Sequence, residues 1–114
     1  MNEDVLSIRG KVAVVGVGES TYYKRGQSAD PEFVLVLKAI LAACNDADID
    51  PRDIDGFASY SGDRNMPTRI ATALGCRELR FSNMQWGSGG GGAAAAVGNA
   101  SAGLVAGADR KSVV

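Results

Sequence analysis

The sequence contains no histidine. That absence removes Ser-His and Cys-His catalysis, and any histidine metal site, from this stretch. Only two cysteines occur in 114 residues, too few to staple a small secreted domain, and they suit a reducing cytoplasm. No apolar run reaches the roughly 18 residues a membrane-spanning helix needs. Charge of one sign is also missing. Twelve basic residues lie scattered against thirteen acidic ones, for a net charge of −1. Nucleic-acid binding and polybasic membrane binding therefore have no electrostatic support. The opening MNEDVLSIRG is acidic and polar where a secretory signal would begin basic and turn apolar.

Apolar residues make up 46% of the chain, enough for the core of one small domain. Residues 1–10 read as a lead-in. KVAVVGVG, residues 11–18, is β-branched and nearly all apolar, and it predicts a strand covered on both faces. Asp30, Pro31 and Glu32 predict a helix start, with Asp30 as N-cap and Pro31 at the first helical position. That helix runs to about Asp46 with Phe33, Leu37, Ile40, Leu41 and Cys44 on its apolar face. A second strand is predicted over about 54–60, a helix within MPTRIATALG stopped by Gly75, and a third strand within ELRFSNMQW. The final DRKSVV reads as the start of another strand. Alternation of this kind implies an α/β fold with helices packed on a mixed or parallel sheet.

GSGGGGAAAAVG, Gly87 to Gly98, admits three readings. A flexible linker would be polar on both sides, whereas this run leads into periodic apolar sequence. A phosphate-binding loop would need Lys-Ser/Thr after its last glycine, and alanine stands there. The other candidate fingerprint, at Gly16 and Gly18, has Thr21 where its third glycine belongs; a nucleotide-binding oxidoreductase would rest on it alone. The third reading is the tip of a buried helix spanning about 90–107. Val97, Leu104 and Val105 share one face, and Ala94, Gly98, Ala102 and Ala106 recur on another, suited to close packing. Glycines at such a tip expose N–H groups at the positive end of the helix, suited to a carbonyl or developing oxyanion. Ser88, Gly89, Gly90 and Gly91 are the candidate substrate-binding residues.

KVAVVGVGES, ADPEFVLVLKAILAACNDADIDPRDIDGF and AAAAVGNASAGLVAGAD together resemble the thiolase-like superfamily, and within it the lipid-transfer-protein or sterol-carrier-type thiolases. The resemblance covers nearly the whole chain. It implies the N-terminal part of a fold whose complete form has αβαβα layers, with 11–114 a partial thiolase-like domain. In ordinary thiolases the helix after the third strand begins with the nucleophilic cysteine. Counted back from Gly107, that position falls at about Gly90, and no cysteine lies between Gly87 and Gly98. Cys44 and Cys76 read as structural thiols. The resemblance then points to the cysteine-less aldolase branch, which cleaves β-hydroxyacyl-CoA thioesters of steroid side chains beside a small OB-fold-containing partner. It implies CoA only as part of the substrate, no bound cofactor, no metal, a homodimer and a cytoplasmic enzyme. The general base is expected beyond Val114, and the 114 residues alone are expected to be inactive and unstable. The alternatives are a thiolase-type acyltransferase or a non-catalytic lipid-binding subunit.

The remaining polar residues carry blander readings. Ser88 suits helix capping, Trp86 a core or subunit interface, and Asn99 a bond to a neighbouring element. Tyr22, Tyr23, Lys24 and Arg25 suit a solvated loop, with CoA phosphates as the functional alternative. Asp46, Asp48, Asp50, Asp53 and Asp55 do not complete a calcium loop and read as turn residues.

Overall fold

The computed structural model describes residues 7–87 and 90–114. In chain order the elements are α1 (Glu32–Ala47), a single 3₁₀ turn (Pro51–Asp53), β1 (Gly56–Tyr60), α2 (Pro67–Leu74), β2 (Phe81–Gln85), α3 (Gly91–Val105) and β3 (Ser112–Val113). The three strands form one sheet in the order β2-β1-β3, and both pairings are parallel. β1 pairs with β2 along its full length, from Gly56↔Phe81 to Tyr60↔Gln85. With β3 it pairs only at Gly56↔Ser112 and Phe57↔Val113.

Local chemistry places the helices close to their expected bounds. Pro31, extended at ψ 158°, is the N-cap of α1, and Glu32 opens the helix near its positive end. Asp30 is therefore not the cap. Its carboxylate is taken by Lys38 at 2.6 Å. The helix stops at Asp48, which adopts the left-handed conformation at φ 55°. α2 has Pro67 in its first turn and Gly75 as a left-handed stop at φ 73°, where glycine carries no Cβ penalty.

The main core joins Ile40 and Cys44 of α1 to Ile54, Phe57, Ile70 and Ala71, flanked by Phe33, Val36 and Leu37. Leu41, expected on this face, is 46% exposed and points away from it. A second core, Ala58 with Ala96 and Ala100, lies between β1 and α3. The buried stripe of α3 is Gly92, Ala96, Ala100 and Gly103. The expected Ala94, Gly98, Ala102 and Ala106 stripe faces outward. The backbone turns the 92-96-100-103 line to the sheet because a Cβ at Gly103 would stand only 3.0 Å from the Phe81 ring.

Residues 11–18 are not a strand. They are irregular and join none of the three strands, with Val14, Val15 and Val17 at 78%, 63% and 73% exposure. Their glycines bind them to α1 instead: a Cβ at Gly18 would meet the Ala43 backbone, and Val17 N–H donates to Asp46 Oδ2 at 2.9 Å. A cavity of about 480 Å³ separates Val12–Gly18 from Val113. β-branched sequence becomes a strand only where a partner edge lies within hydrogen-bonding reach, and none does. No described helix is long and apolar enough to cross a membrane.

Candidate active site at the carboxyl end of the sheet

β1 and β2 run parallel, so they end on the same side, at Tyr60 and Gln85. Open parallel sheets bind ligands beyond the carboxyl ends of their strands. The chain leaves β2 through Trp86 and Gly87, which turns at φ 74°, and enters α3 at Gly90 and Gly91. Ser88 and Gly89, two of the four candidate substrate-binding residues, lie outside the described residues.

Gly90 and Gly91 sit at the helix tip, exposed, and no heavy atom outside their immediate neighbours lies within 4 Å of where a Cβ would be. Gly90 has φ −63° and ψ −25°, a conformation open to any residue, so a side chain there would meet no backbone strain. The N-cap residue Gly90 carries no side chain and is exposed, so no described side chain caps the positive end of α3. Gly92 differs. A Cβ there would stand 2.9 Å from Cδ2 of Tyr60. At the start of α3, packing excludes a side chain at Gly92, whereas Gly90 and Gly91 leave space open.

Below the tip, Asn99 Nδ2 donates to Asn83 Oδ1 at 2.7 Å and to Gln85 Oε1 at 3.3 Å. These amides lock the roll of α3 on β2, the neighbour-strand bond expected for Asn99. Trp86 is 75% exposed, so the core reading for it fails. Tyr22, at 90% exposure, lies in a loop far from burial, as a solvated segment would.

Beside the tip lies a cavity of about 580 Å³, lined by Val36, Ile40, Tyr60, Ala93, Ala96 and Val113 among others. β3 pairs with only the first two residues of β1, so the flank from Ala58 to Tyr60 opens into it. Ser59, Ser61, Asp63 and Asn65 add polar atoms to its wall. Asp63 Oδ1 is already engaged by the backbone and side-chain N–H groups of Asn65. The expectations of site chemistry overlooked this turn, because nothing in its spacing places it opposite a glycine run 30 residues later.

Neither thiol reaches this region. Cys44 is packed in the main core, and Cys76 sits near the amino end of β1 with its Sγ 3.5 Å from Pro51 O. Burial pushes both thiols above the usual range, so both stay protonated and poorly nucleophilic.

The aspartates expected in turns are spent structurally. Asp50 is paired with Arg52 and Asp53 with Arg77. Asp55 is buried, and its Oδ1 accepts the N–H groups of Arg110 at 3.0 Å and Lys111 at 2.9 Å. Next to it Asp109 is 2% exposed, and neither of its oxygens has a hydrogen-bond partner among the described residues. Burial, and then the neighbouring Asp55, raise its pKa. Among the described residues no group of three or more potential metal ligands comes together.

No protein-family model matches the chain. Two curated proteins are similar to it. A 17-hydroxy-3-oxo-4-pregnene-20-carboxyl-CoA lyase of Mycobacterium tuberculosis is 35% identical over 83 residues, 72% of this chain and 21% of that protein. A steroid side-chain-cleaving aldolase of Thermomonospora curvata is 33% identical over 81 residues, 70% of this chain and 20% of that protein. The chain therefore spans about one fifth of the length of these relatives. Among solved structures, an Ltp2-ChsH2(DUF35) aldolase superposes with a TM-score of 0.78 at 30% identity, over 85% of this chain and 25% of that one. A monomeric SCP2-thiolase-like protein type 1 of Mycobacterium smegmatis superposes with a TM-score of 0.57 at 25% identity, over 83% of this chain and 20% of that one. With a parallel βα sheet, a glycine-tipped helix on its inner face and these relatives, the chain belongs to the thiolase-like superfamily, and over the stretch it spans it is similar to the steroid side-chain-cleaving aldolases.

Proposed function

We propose that the chain is the glycine-tip portion of a thiolase-like enzyme that cleaves a β-hydroxyacyl-CoA thioester by a retro-aldol reaction, with a steroid side chain as the substrate class. The observation that carries this reading is the open, side-chain-free position at Gly90 and Gly91, where the thiolase resemblance puts a nucleophilic cysteine. Without that thiol no acyl-enzyme forms by the usual route. A retro-aldol needs none. A base takes the β-hydroxyl proton, the Cα–Cβ bond breaks, and a ketone or aldehyde leaves. The bond's electron pair passes to the thioester as an enolate, which is then protonated at Cα. The glycine tip of α3 offers N–H donors to the thioester oxygen as negative charge develops there.

The names of the relatives support this substrate class, since a 17-hydroxyl and a carboxyl-CoA on carbon 20 stand in the β-hydroxyacyl relation. No histidine is available as base. We place the base in sequence beyond Val114, with CoA entering only as part of the substrate. We also propose a homodimer and a small OB-fold-containing partner. The solved aldolase that the chain resembles is itself titled with two components.

The test uses the full-length protein with its partner. It is offered a β-hydroxyacyl-CoA and, separately, a β-ketoacyl-CoA with free CoA. Cleavage of the hydroxy compound to a carbonyl product and a shorter acyl-CoA is expected, with no thiolysis of the ketone. Thiolysis alone would replace the aldolase with an acyltransferase, and turnover of neither would leave a non-catalytic subunit.

A further inference from the structure

We infer that the turn after β1 is a two-point clamp on the glycine run, with Tyr60 as the positioning residue for the tip of α3; this rests on the aldolase reading of that tip. Two adjacent residues hold the run from opposite flanks. Upstream, Ser61 N–H donates to Gln85 O at 2.7 Å, and its hydroxyl lies 3.5 Å from Gly87 O. Downstream, the Tyr60 ring lies against Gly92, where a Cβ would come 2.9 Å from Cδ2 and 3.0 Å from the Tyr60 Cβ. The clamp is braced from behind. Asp63 N–H donates to Tyr60 O at 3.2 Å, and Asp63 Oδ1 accepts from Asn65 N at 2.9 Å.

A helix tip built from glycine cannot hold itself. Glycine has the widest backbone freedom, and at Gly90 and Gly91 no side chain packs where a Cβ would stand among the described residues. Donors that stabilise a transition state must nonetheless be fixed to within a fraction of an ångström. Ala96 and Ala100 anchor α3 from its second turn onward. Within the first turn, Gly92 lies against Tyr60, a tertiary contact that restrains the tip. The Tyr60 hydroxyl makes no hydrogen bond among the described residues, so the ring rather than the phenol does the holding. Gly92 has no side chain because that close approach leaves no room for one.

The test compares Tyr60→Ala and Tyr60→Phe in the full-length protein. In Tyr60→Ala, kcat for the β-hydroxyacyl-CoA should fall roughly 100-fold, since a small misplacement of catalytic donors has that effect. KM should stay within about threefold of wild type, because the loss is felt in the transition state. Tyr60→Phe should restore kcat. Hydrogen exchange over 90–96 should quicken in the alanine variant, not in the phenylalanine variant, while exchange in α1 stays unchanged. Wild-type kcat and exchange in Tyr60→Ala would overturn the clamp. An equal loss in both variants would do so too, by making the hydroxyl the actor. Faster exchange throughout the chain would reduce Tyr60 to a general stabilising residue. Should the wild type cleave no β-hydroxyacyl-CoA, the aldolase reading fails, and the exchange over 90–96 alone decides for or against the clamp.

Discussion

The two ends of the same parallel sheet are built from opposite materials. At the carboxyl end the chain places a glycine-tipped helix and open space beside Tyr60. At the amino end it places buried carboxylates. Asp55 ties β1 to the start of β3 through the N–H groups of Arg110 and Lys111, and Asp109 packs so closely on Gly56 that a Cβ there would overlap its carboxylate. The difference separates two uses of polarity. The amino end spends its polar groups on holding the strands together, whereas the carboxyl end presents an exposed glycine tip on which the proposed function rests. Substitutions should therefore move stability at one end and activity at the other.

The largest stability effect is expected from Asp55→Ala. It strands two backbone N–H groups that a buried carboxylate satisfied, which costs about 3 kcal/mol. Asp55→Asn keeps one oxygen acceptor and should lose less. Denaturant midpoints of the full-length protein check both, and an unchanged midpoint in Asp55→Ala would erase the contrast between the ends.

Two neighbouring glycines sharpen the contrast at the other end. Gly92→Val drives a side chain into the Tyr60 ring and should cost about 1–3 kcal/mol along with activity. A Cβ at Gly91 meets no packed neighbour within 4 Å, so Gly91→Val has open space. Its stability should stay within about 1 kcal/mol of wild type, yet on the proposed aldolase reading cleavage should be lost. Equal melting with equal turnover would show that the space is unused.

A smaller effect is expected from pH. The pKa of Asp109 is raised from 3.8, so the folded state holds its proton more tightly than the unfolded state. That contribution is fully present below 3.8 and is lost as pH rises through the raised value. Asp109→Asn removes the titration. Midpoints measured across pH should show wild type losing stability relative to the variant as pH rises. Parallel curves would mean that Asp109 titrates normally. The smallest effect belongs to exposed Asp50, held down to about 2 by Arg52. Its contribution is present above 3.8 and is lost as pH falls through about 2. Solvent screening of this surface pair keeps it small, so Asp50→Asn should lower the denaturant midpoint only slightly at neutral pH.

Helix positions were readable because their signals are local. Pro67 and Gly75 bracket α2, and the proline before Glu32 opens α1. The absence of a thiol at the glycine tip was also plain, since it needs only identity and order. The missed turn at Tyr60–Asn65 was invisible for the opposite reason. Its importance comes from lying against Gln85, Gly87 and Gly92, contacts that only the parallel crossover creates. Asp55 reads as a turn acid in the sequence and Asp109 carries no signal there, because burial is decided by what packs over them rather than by their neighbours in sequence.

By itself, then, the sequence determined where the helices begin and end and which chemistries lack their side chains. Backbone dihedral preference, capping and residue identity act over a few positions and need no partner. Tertiary structure decided whether Val12–Gly18 would be a strand, which line of small residues on α3 would turn inward, and which glycine of the run was indispensable. Each of those depends on a surface from elsewhere in the chain. A strand needs a second edge for its hydrogen bonds, and Gly92 must lack a side chain because the Tyr60 ring comes too close for a Cβ.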